Sequence, residues 1–312
     1  MLLTKQFCPE GWKYDTTENK RALFSPLALS EAQKNGDILE APVIMCDTDH
    51  NLILDLGSMR GTIKREEGAI GIREGTVKDI ALITKVGKSV CFTVKSIKTD
   101  KFGKLYAELS RREPQEKFLN HLLSTKKVGS VISARVTHLE RFGAFCDIGC
   151  GVIALLPIDL ISVSRISHPK DRFSVGDDLK VIIKNIDSEN KITLSHKELL
   201  GSWEENASLF SEGQTVSGIV RSTESYGIFI ELAPNLAGLA EVRDGIYPGM
   251  CASVYVKSII PEKMKIKLII IDAFEGEYTY PIKYFYEEDF IDFFKYSPNN
   301  CCKNIYTDFL HQ

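Results

Sequence analysis

Two short stretches of the chain place an aromatic residue on each side of a glycine. They are Phe142-Gly143-Ala144-Phe145 and Tyr226-Gly227-Ile228-Phe229. Aromatic rings exposed on a sheet can stack on the bases of a single-stranded nucleic acid, while nearby cations follow its phosphates. The alternative is that both phenylalanines lie in a core, because residues three apart face opposite sides of a flat strand. The two rings share a face only if Gly143 breaks the pleat.

The elements that must position the first stretch are short β-strands. Runs rich in β-branched and aromatic residues, separated by glycine or polar turns, are typical of strands. Five such runs lie at 131–139, 142–148, 151–156, 179–186 and 191–194. Five short strands within about 70 residues fit a five-stranded Greek-key barrel of the oligonucleotide-binding (OB) kind, which closes its sheet edges.

The spacing of glycines repeats along the chain. Gly129 precedes Phe142 by 13 residues, and Gly213 precedes Tyr226 by 13. Gly87, Gly176 and Gly249 each precede an isoleucine by 10 residues. This self-similarity predicts a mainly β protein of three tandem five-stranded OB-fold barrels joined by short helices. The predicted domains are a lead-in at 1–34, barrels at 35–112, 127–198 and 211–275, and an extension at 276–312.

Helices are predicted between and before the barrels. Apolar residues at helical spacing indicate helices over 114–126 and 196–210. Ser25 and Pro26 predict the start of a helix in an otherwise partly ordered lead-in, with Gly36 just past its end. The extension at 276–312 is acidic and rich in aromatic residues. Since disordered segments are poor in aromatics, we expect this extension to pack against the third barrel.

Several motifs of the second repeat resemble the RNA-binding domain first described in ribosomal protein S1. They are Phe142-Gly143-Ala144-Phe145, the pair Gly176-Asp177, and the closing run from Ile186 to Ser195. The resemblance implies that Phe142 and Phe145 stack on bases, that Asp187 bonds a base or ribose, and that Lys191 contacts a phosphate. Arg135 would add positive charge from the first strand. The family often has a histidine after the third strand, where this chain has Pro157.

The other two repeats keep the scaffold and differ in the aromatic pair. The third offers Tyr226 and Phe229, with Lys263 and Lys265 on a nearby basic strand and Ile260 where the family has its aspartate. In the first repeat the run from Asp49 to Leu52 stands at the aromatic motif. This repeat resembles the N-terminal repeats of ribosomal protein S1, which dock on protein. The alternative is weak RNA binding by charge alone, through Lys64, Arg65, Arg111 and Arg112.

Composition excludes several classes of protein. The 312 residues are 26% charged with a net charge of −3, so an RNA site must rely on local patches. No apolar run approaches the roughly 20 residues of a membrane span, so we expect no membrane partner and a cytoplasmic location. Eight cysteines without a Cys-x-x-Cys motif suggest reduced thiols and no metal. Scattered histidines and the lack of a catalytic motif predict no enzyme and no cofactor.

The whole chain is similar to short, three-domain forms of ribosomal protein S1 in Firmicutes-type bacteria. This resemblance implies that the chain binds single-stranded RNA and holds mRNA at the small ribosomal subunit during translation initiation. Small-subunit proteins would be its partners, through the first barrel. The alternative is an RNA-binding adaptor outside the ribosome that serves an RNA degradation or transcription complex, since such barrels are portable modules.

Overall fold

Three closed five-stranded barrels make up most of the fold, as the sequence predicted. The computed structural model describes residues 6–310 except 277 and 279. The strands of the first barrel are β1 (Leu39–Cys46), β2 (Leu52–Asp55), β3 (Arg60–Ile63), β4 (Ser89–Thr99) and β5 (Leu105–Ser110). Their order around the barrel is β1-β2-β3-β5-β4, in which β3 and β5 pair in parallel.

The second and third barrels repeat this strand order. The second contains β6 (Val131–Glu140), β7 (Gly143–Asp147), β8 (Ile153–Pro157), β9 (Asp178–Ile186) and β10 (Ile192–Ser195). The third contains β11 (Thr215–Glu224), β12 (Gly227–Ala233), β13 (Leu236–Ala240), β14 (Cys251–Ile260) and β15 (Lys265–Phe274). Alternation of buried and exposed residues along these strands fills each barrel with mainly aliphatic side chains.

Short helices lie before the first barrel, within it and between successive barrels. They are α1 (Thr17–Leu23), α2 (Pro26–Asn35), α3 (Ile80–Ile83), α4 (Arg112–Thr125) and α5 (Trp203–Ala207). The helix predicted after Ser25 is confirmed as α2: the Ser25 hydroxyl accepts from the Ala28 amide at 3.2 Å, and Gly36 ends the helix with a φ of 67°. The N-terminal segment is thus more ordered than a loose lead-in.

The predicted helix over 196–210 is wrong as a single element. A 3₁₀ turn covers Lys197–Leu200, and Gly201 follows with a φ of 84°. Ser202 then starts α5 with a capping box in which it exchanges bonds with Glu205. Because a glycine in the left-handed region ends a helical turn, the apolar spacing on either side of Gly201 does not report one helix. Trp203 is nevertheless buried, as its place in the apolar stripe suggested.

The chain divides into two compact units. The first contains residues 1–126 and 147–153, and the second contains residues 127–146 and 154–312. In the first unit the buried Arg111 binds Glu10 at 2.6 Å, and Lys85 binds the same carboxylate at 2.9 Å. Burial alone would raise the pKa of Glu10, but the charges of Arg111 and Lys85 outweigh it and hold the pKa at about 2. This ion pair fastens the N-terminal segment within its unit.

In the second unit, buried polar contacts join the second and third barrels. Arg172 binds the fully buried Glu231 at 2.6 Å, and Arg221 binds the same carboxylate at 2.7 Å. The Asn235 amide group donates to the carbonyls of Lys197 and Gly201 at 2.7 and 2.8 Å. Because buried polar groups are costly to leave unpaired, these bonds fix one arrangement of the two barrels.

The C-terminal extension contacts the second barrel as well as the third, although the sequence suggested the third alone. It forms a hairpin of β16 (Phe293–Lys295) and β17 (Tyr306–Asp308). Ile291 and Phe309 pack against Ile182 and Leu199 of the second barrel and its linker, while Tyr296 joins the core of the third barrel. Apolar residues are spread along the whole extension, so it covers surface on both. No helix among the described residues combines the length and apolarity needed to cross a membrane.

Candidate nucleic-acid interface

Phe142 and Phe145 form an aromatic pair outside the core of the second barrel. Phe142 is 56% exposed in the turn before β7, and Phe145 is half-buried. Their ring centroids lie 5.9 Å apart with the rings perpendicular. A Cβ atom on Gly143 would lie 2.5 Å from the Leu156 carbonyl oxygen, so only glycine lets β7 approach β8 this closely. The two rings share one surface, and the interpretation of both as core residues is wrong.

The third barrel repeats this arrangement. Tyr226 is 68% exposed, and its ring lies 6.1 Å from that of Phe229 at an angle of 87°. A Cβ atom on Gly227 would lie 2.8 Å from the Ala240 carbonyl oxygen. In both barrels a glycine, required by the close approach of two strands, therefore lies between the two rings of a perpendicular aromatic pair. The two barrels present equivalent surfaces for stacking.

The sequence interpretation missed a third ring beside the first pair. His138, which is exposed on β6, stacks on Phe145 with a centroid separation of 6.3 Å and an interplanar angle of 28°. Its Nε2 atom lies 2.7 Å from a carboxylate oxygen of Glu140. The sequence contained a signal for this ring. His138 is four residues before Phe142, on β6, which pairs with β7, so a hairpin between the two strands brings the rings close together. An imidazole ring can extend the stacking surface.

The charged candidates of the second barrel already have protein partners. Arg135 binds Asp178 through two hydrogen bonds of 2.7 and 3.0 Å, which offset its charge. Asp187 caps the turn between β9 and β10, where one carboxylate oxygen accepts from the amides of Glu189 and Lys191. The Lys191 amine binds Glu189 at 2.6 Å, but both side chains are largely exposed. A phosphate can displace such a surface partner at little cost.

Arg135 is on β6, next to the strand of the aromatic pair, whereas Asp187 and Lys191 lie at β9 and β10, two strands away. Thr193, two residues after Lys191, pairs with Leu155 on β8. A side-chain carbon of Leu155 lies 3.2 Å from the Cβ position of Gly143. The order across the outer face is therefore the aromatic pair, then Leu155, then the strand that begins after Lys191.

In the third barrel the strand register brings a lysine into line with the aromatic pair. Phe229 pairs with Leu239, and Leu239 pairs with Lys267. Residues paired in this way point to the same face of a sheet. Lys267 and Lys265, two positions apart on β15, are exposed, as is Lys263 in the preceding 3₁₀ turn. A strand that stacks on Phe229 would thus find cations along one side.

The strand register corrects the alignment of the first barrel. After a bulge, Met45 pairs with Ile53 in the same way that Ser222 pairs with Phe229. The counterpart of Phe229, the candidate stacking residue, is therefore Ile53 and not Leu52, which is fully buried. Since one residue of slip moves a side chain to the other face, the alignment from sequence compared opposite faces.

Ile53 belongs to a line of residues paired across neighbouring strands, and the last residue of this line is a glutamate. Ile53 pairs with Thr62, and Thr62 pairs with Glu108, which occupies the place of Lys267. The Lys98 amine binds Glu108 at 2.6 Å, and this hydrogen bond lowers the pKa of the Glu108 carboxyl. The first barrel thus has neither a stacking ring nor a free cation on this line.

Most of the basic residues proposed for a charge-only site in the first barrel have acidic partners. Arg65 binds Asp79 at 2.6 Å. Arg112 binds Glu74 and Glu116, each at 2.6 Å. Arg111 is buried and bound to Glu10, so Lys64 is the one member of the set that forms no ion pair within the described residues. Most of these positive charges are therefore neutralised by ion pairs within the first unit.

Comparison with known proteins gives a match to the second barrel and relatives over most of the chain. Residues 125–197 match the family model described as the S1 RNA binding domain. Small ribosomal subunit protein bS1 of Staphylococcus aureus (strain COL) is 28% identical over 256 residues, which are 78% of this chain and 63% of that protein. The bS1 of Chlamydia muridarum is 29% identical over 222 residues, 65% of this chain and 38% of that protein. The chain thus spans less than two thirds of the length of these relatives.

Solved structures are also similar to parts of the chain. A multidomain protein with nucleic acid binding domains from Streptococcus pneumoniae is 17% identical, with a TM-score of 0.25, over 76% of this chain and 74% of that one. GSP13 from Bacillus subtilis is 33% identical, with a TM-score of 0.21, over 22% of this chain and 54% of that one. The match of residues 125–197 to the S1 RNA binding domain and the bS1 relatives confirm the resemblance to ribosomal protein S1 that the sequence indicated.

Proposed function

We propose that the chain binds single-stranded RNA through its second and third barrels. The observation that supports this is the recurrence of one exposed perpendicular aromatic pair, Phe142 with Phe145 and Tyr226 with Phe229. A duplex keeps its bases stacked inside, so exposed rings favour splayed single strands. The RNA-binding domain family matched by the second barrel agrees with this chemistry.

Stacking, more than charge, supplies the affinity in this proposal. The chain has a net charge of −3, and Arg135 is offset by Asp178. The cations left for phosphates are Lys191, held loosely by Glu189, and the lysines of the third barrel at 263, 265 and 267. Asp187 is held rigidly by its turn and serves as a hydrogen-bond acceptor for a base or ribose.

The finer role that we propose is to hold mRNA at the small ribosomal subunit during translation initiation, in the cytoplasm. The relatives are small ribosomal subunit proteins, which supports this role over a free RNA-binding protein. The first barrel, whose stacking line is Ile53, Thr62 and Glu108, would dock on small-subunit proteins instead of RNA. Neither activity requires a metal or a cofactor.

Sedimentation of the tagged chain tests this role. We expect the chain to sediment with 30S subunits and to retain a single-stranded mRNA leader on them. The double variant Phe142→Ala, Phe145→Ala should still sediment with 30S subunits but lose the retained RNA. If the wild-type chain instead sediments with an RNA degradation or transcription complex, it is an RNA-binding adaptor that acts outside the ribosome. In that case the ribosomal role is wrong and the RNA-binding role stands.

A further inference from the structure

A groove in the second unit lies between the second barrel and the C-terminal hairpin. Its volume is about 440 Å³, within the range of small-ligand sites. One wall is the segment that follows β8, with Ile158, Val163 and Arg165. The other is the β16–β17 hairpin, with Phe294 and Tyr306, and Lys197 also lines the groove.

The groove begins where the aromatic pair of the second barrel ends. The Ile158 amide donates to the Phe142 carbonyl oxygen at 2.9 Å. One wall of the groove is thus hydrogen-bonded to the backbone of the residue that carries the exposed ring. Ile158 follows Pro157, the position of the family's histidine. The groove therefore lies next to the backbone of Phe142.

The side chains of the groove fit a nucleotide. Tyr306 is 52% exposed and stacks on Phe293, with ring centroids 5.4 Å apart at 26°. Arg165 is exposed and forms no ion pair within residues 6–276, 278 and 280–310. An aromatic ring and an unpaired guanidinium are the groups that bind a base and its phosphate. Asp159, also in the lining, can accept from an exocyclic amino group of a base.

The hairpin is held in place before any ligand arrives. The Thr307 hydroxyl donates to the buried Glu198 carboxylate at 2.9 Å. The Tyr296 hydroxyl donates to the Asn235 carbonyl at 2.7 Å. Both anchors lie beside the groove and tie the hairpin to the linker and to the third barrel. A preorganised wall spares a ligand the entropic cost of ordering it.

We propose that this groove binds a nucleotide of the same RNA strand that stacks on Phe142 and Phe145. The base stacks at Tyr306, and Arg165 and Lys197 contact the phosphate. This inference rests on the proposed function and assigns the C-terminal extension to the RNA site of the second barrel. The length of RNA that the barrel holds is then set partly by the extension.

The test compares short and long oligonucleotides on the full chain. Oligonucleotides of about 4 and about 16 nucleotides span the range of site sizes of one OB fold. Tyr306→Ala should weaken binding of the long RNA by roughly five- to 150-fold and leave the short RNA unchanged. Arg165→Glu, a change at an exposed side chain, should show the same selectivity. Phe24→Ala and Lys34→Glu, exposed residues of the N-terminal segment, are the matched controls.

Each outcome decides the proposal. If Tyr306→Ala and Arg165→Glu bind both lengths like the wild type, while Phe142→Ala weakens both, the groove is not a nucleotide site and the proposed function stands. If Phe142→Ala also has no effect, the proposed function itself fails. An equal loss for both lengths in the Tyr306 variant overturns the groove as well, because the hairpin would then act only by supporting the barrel. If Tyr306→Ala unfolds, Arg165→Glu alone decides.

Discussion

The first and third barrels share a strand order and differ along one line of paired residues. In the third barrel the line carries a ring, Phe229, and a cation, Lys267. In the first barrel the same places hold Ile53 and Glu108. The buried apolar residues of the strands along this line are aliphatic in both barrels. The core residues and the candidate nucleic-acid-binding residues therefore occupy opposite faces of the same strands, so the outer face can change while the inner face keeps the barrel folded.

A second comparison concerns the residue that follows the closing serine. Ser110 is followed by Arg111 in the first barrel, and Ser195 by His196 in the second. Both residues are buried, at 2% and 1% exposure. Arg111 binds Glu10 of the N-terminal segment, and the His196 ring lies 3.3 Å from the Tyr284 hydroxyl of the C-terminal extension. One position is thus used in each unit to hold a terminal segment.

The largest effect should come from Arg111. Replacing Arg111 by Met leaves the Glu10 charge buried and short of its main partner, which should destabilise the first unit by about 3–5 kcal/mol. Chemical denaturation, with hydrogen exchange of the β5 amides as the readout, measures this loss of stability. Arg65→Met breaks an exposed pair and should cost about 0–1 kcal/mol. Neither variant should weaken RNA binding; loss of affinity in a folded Arg111 variant would mean that the first barrel uses this charge for RNA.

His196 should make the second unit sensitive to acid. Burial lowers the pKa of His196 to about 4 from an ordinary 6.5. The unfolded chain therefore binds the proton first as the pH falls, so this contribution is complete above about pH 6.5 and is lost on the way to pH 4. The loss should reach up to about 3 kcal/mol.

Hydrogen exchange at the 3₁₀ turn that follows His196 measures this locally. The local readout is needed because Glu40, in the first unit, acts in the opposite direction: burial raises its pKa to about 7. His196→Phe should flatten the dependence between pH 6.5 and 4, whereas a substitution at the exposed His138 should leave it in place. An unchanged slope in the His196 variant would show that another group titrates.

Phe145 and Ile53 form a matched pair for the first comparison. Phe145→Ala should weaken binding of single-stranded RNA by roughly five- to 150-fold, the loss of one stacking ring. Ile53→Ala, at the corresponding place of the first barrel, should leave affinity unchanged. Fluorescence anisotropy with a labelled oligonucleotide on the full chain measures both. Point variants are preferable to a cut at residue 126, because residues 147–153 belong to the first unit.

Local patterns in the sequence were sufficient to predict the barrels and the aromatic pair, but not the contacts that depend on register and burial. Strand runs, glycine spacing and the cap at Ser25 each report a few neighbouring residues, and those predictions are confirmed. Ile53 was missed because five residues separate the paired Cys46 and Leu52, one more than the four between the equivalent pair of the third barrel, Thr223 and Ile228. Arg111 was counted as a surface charge because its partner Glu10 lies 101 residues away. Sequence spacing carries no signal for such a pair.

The smallest effect should appear in the salt dependence of RNA binding. This measurement distinguishes the outer face of the third barrel, which carries Lys267, from that of the first, which carries Glu108 at the same place. Each phosphate contact on a single strand adds roughly −0.7 to the slope of log K against log salt. Two to four contacts over the second and third barrels give a slope of about −1.5 to −3 for the wild type.

Lys267→Glu should make this slope shallower by about 0.7, since Lys267 lies in line with the candidate stacking residue Phe229. Glu108→Lys, the reciprocal change in the first barrel, should leave the slope unchanged because Ile53 offers no ring to hold a base there. Titrations at several salt concentrations distinguish these outcomes. A wild-type slope steeper than about −6, or a steeper slope in the Glu108 variant, would show that phosphates contact a basic surface beyond the two aromatic barrels.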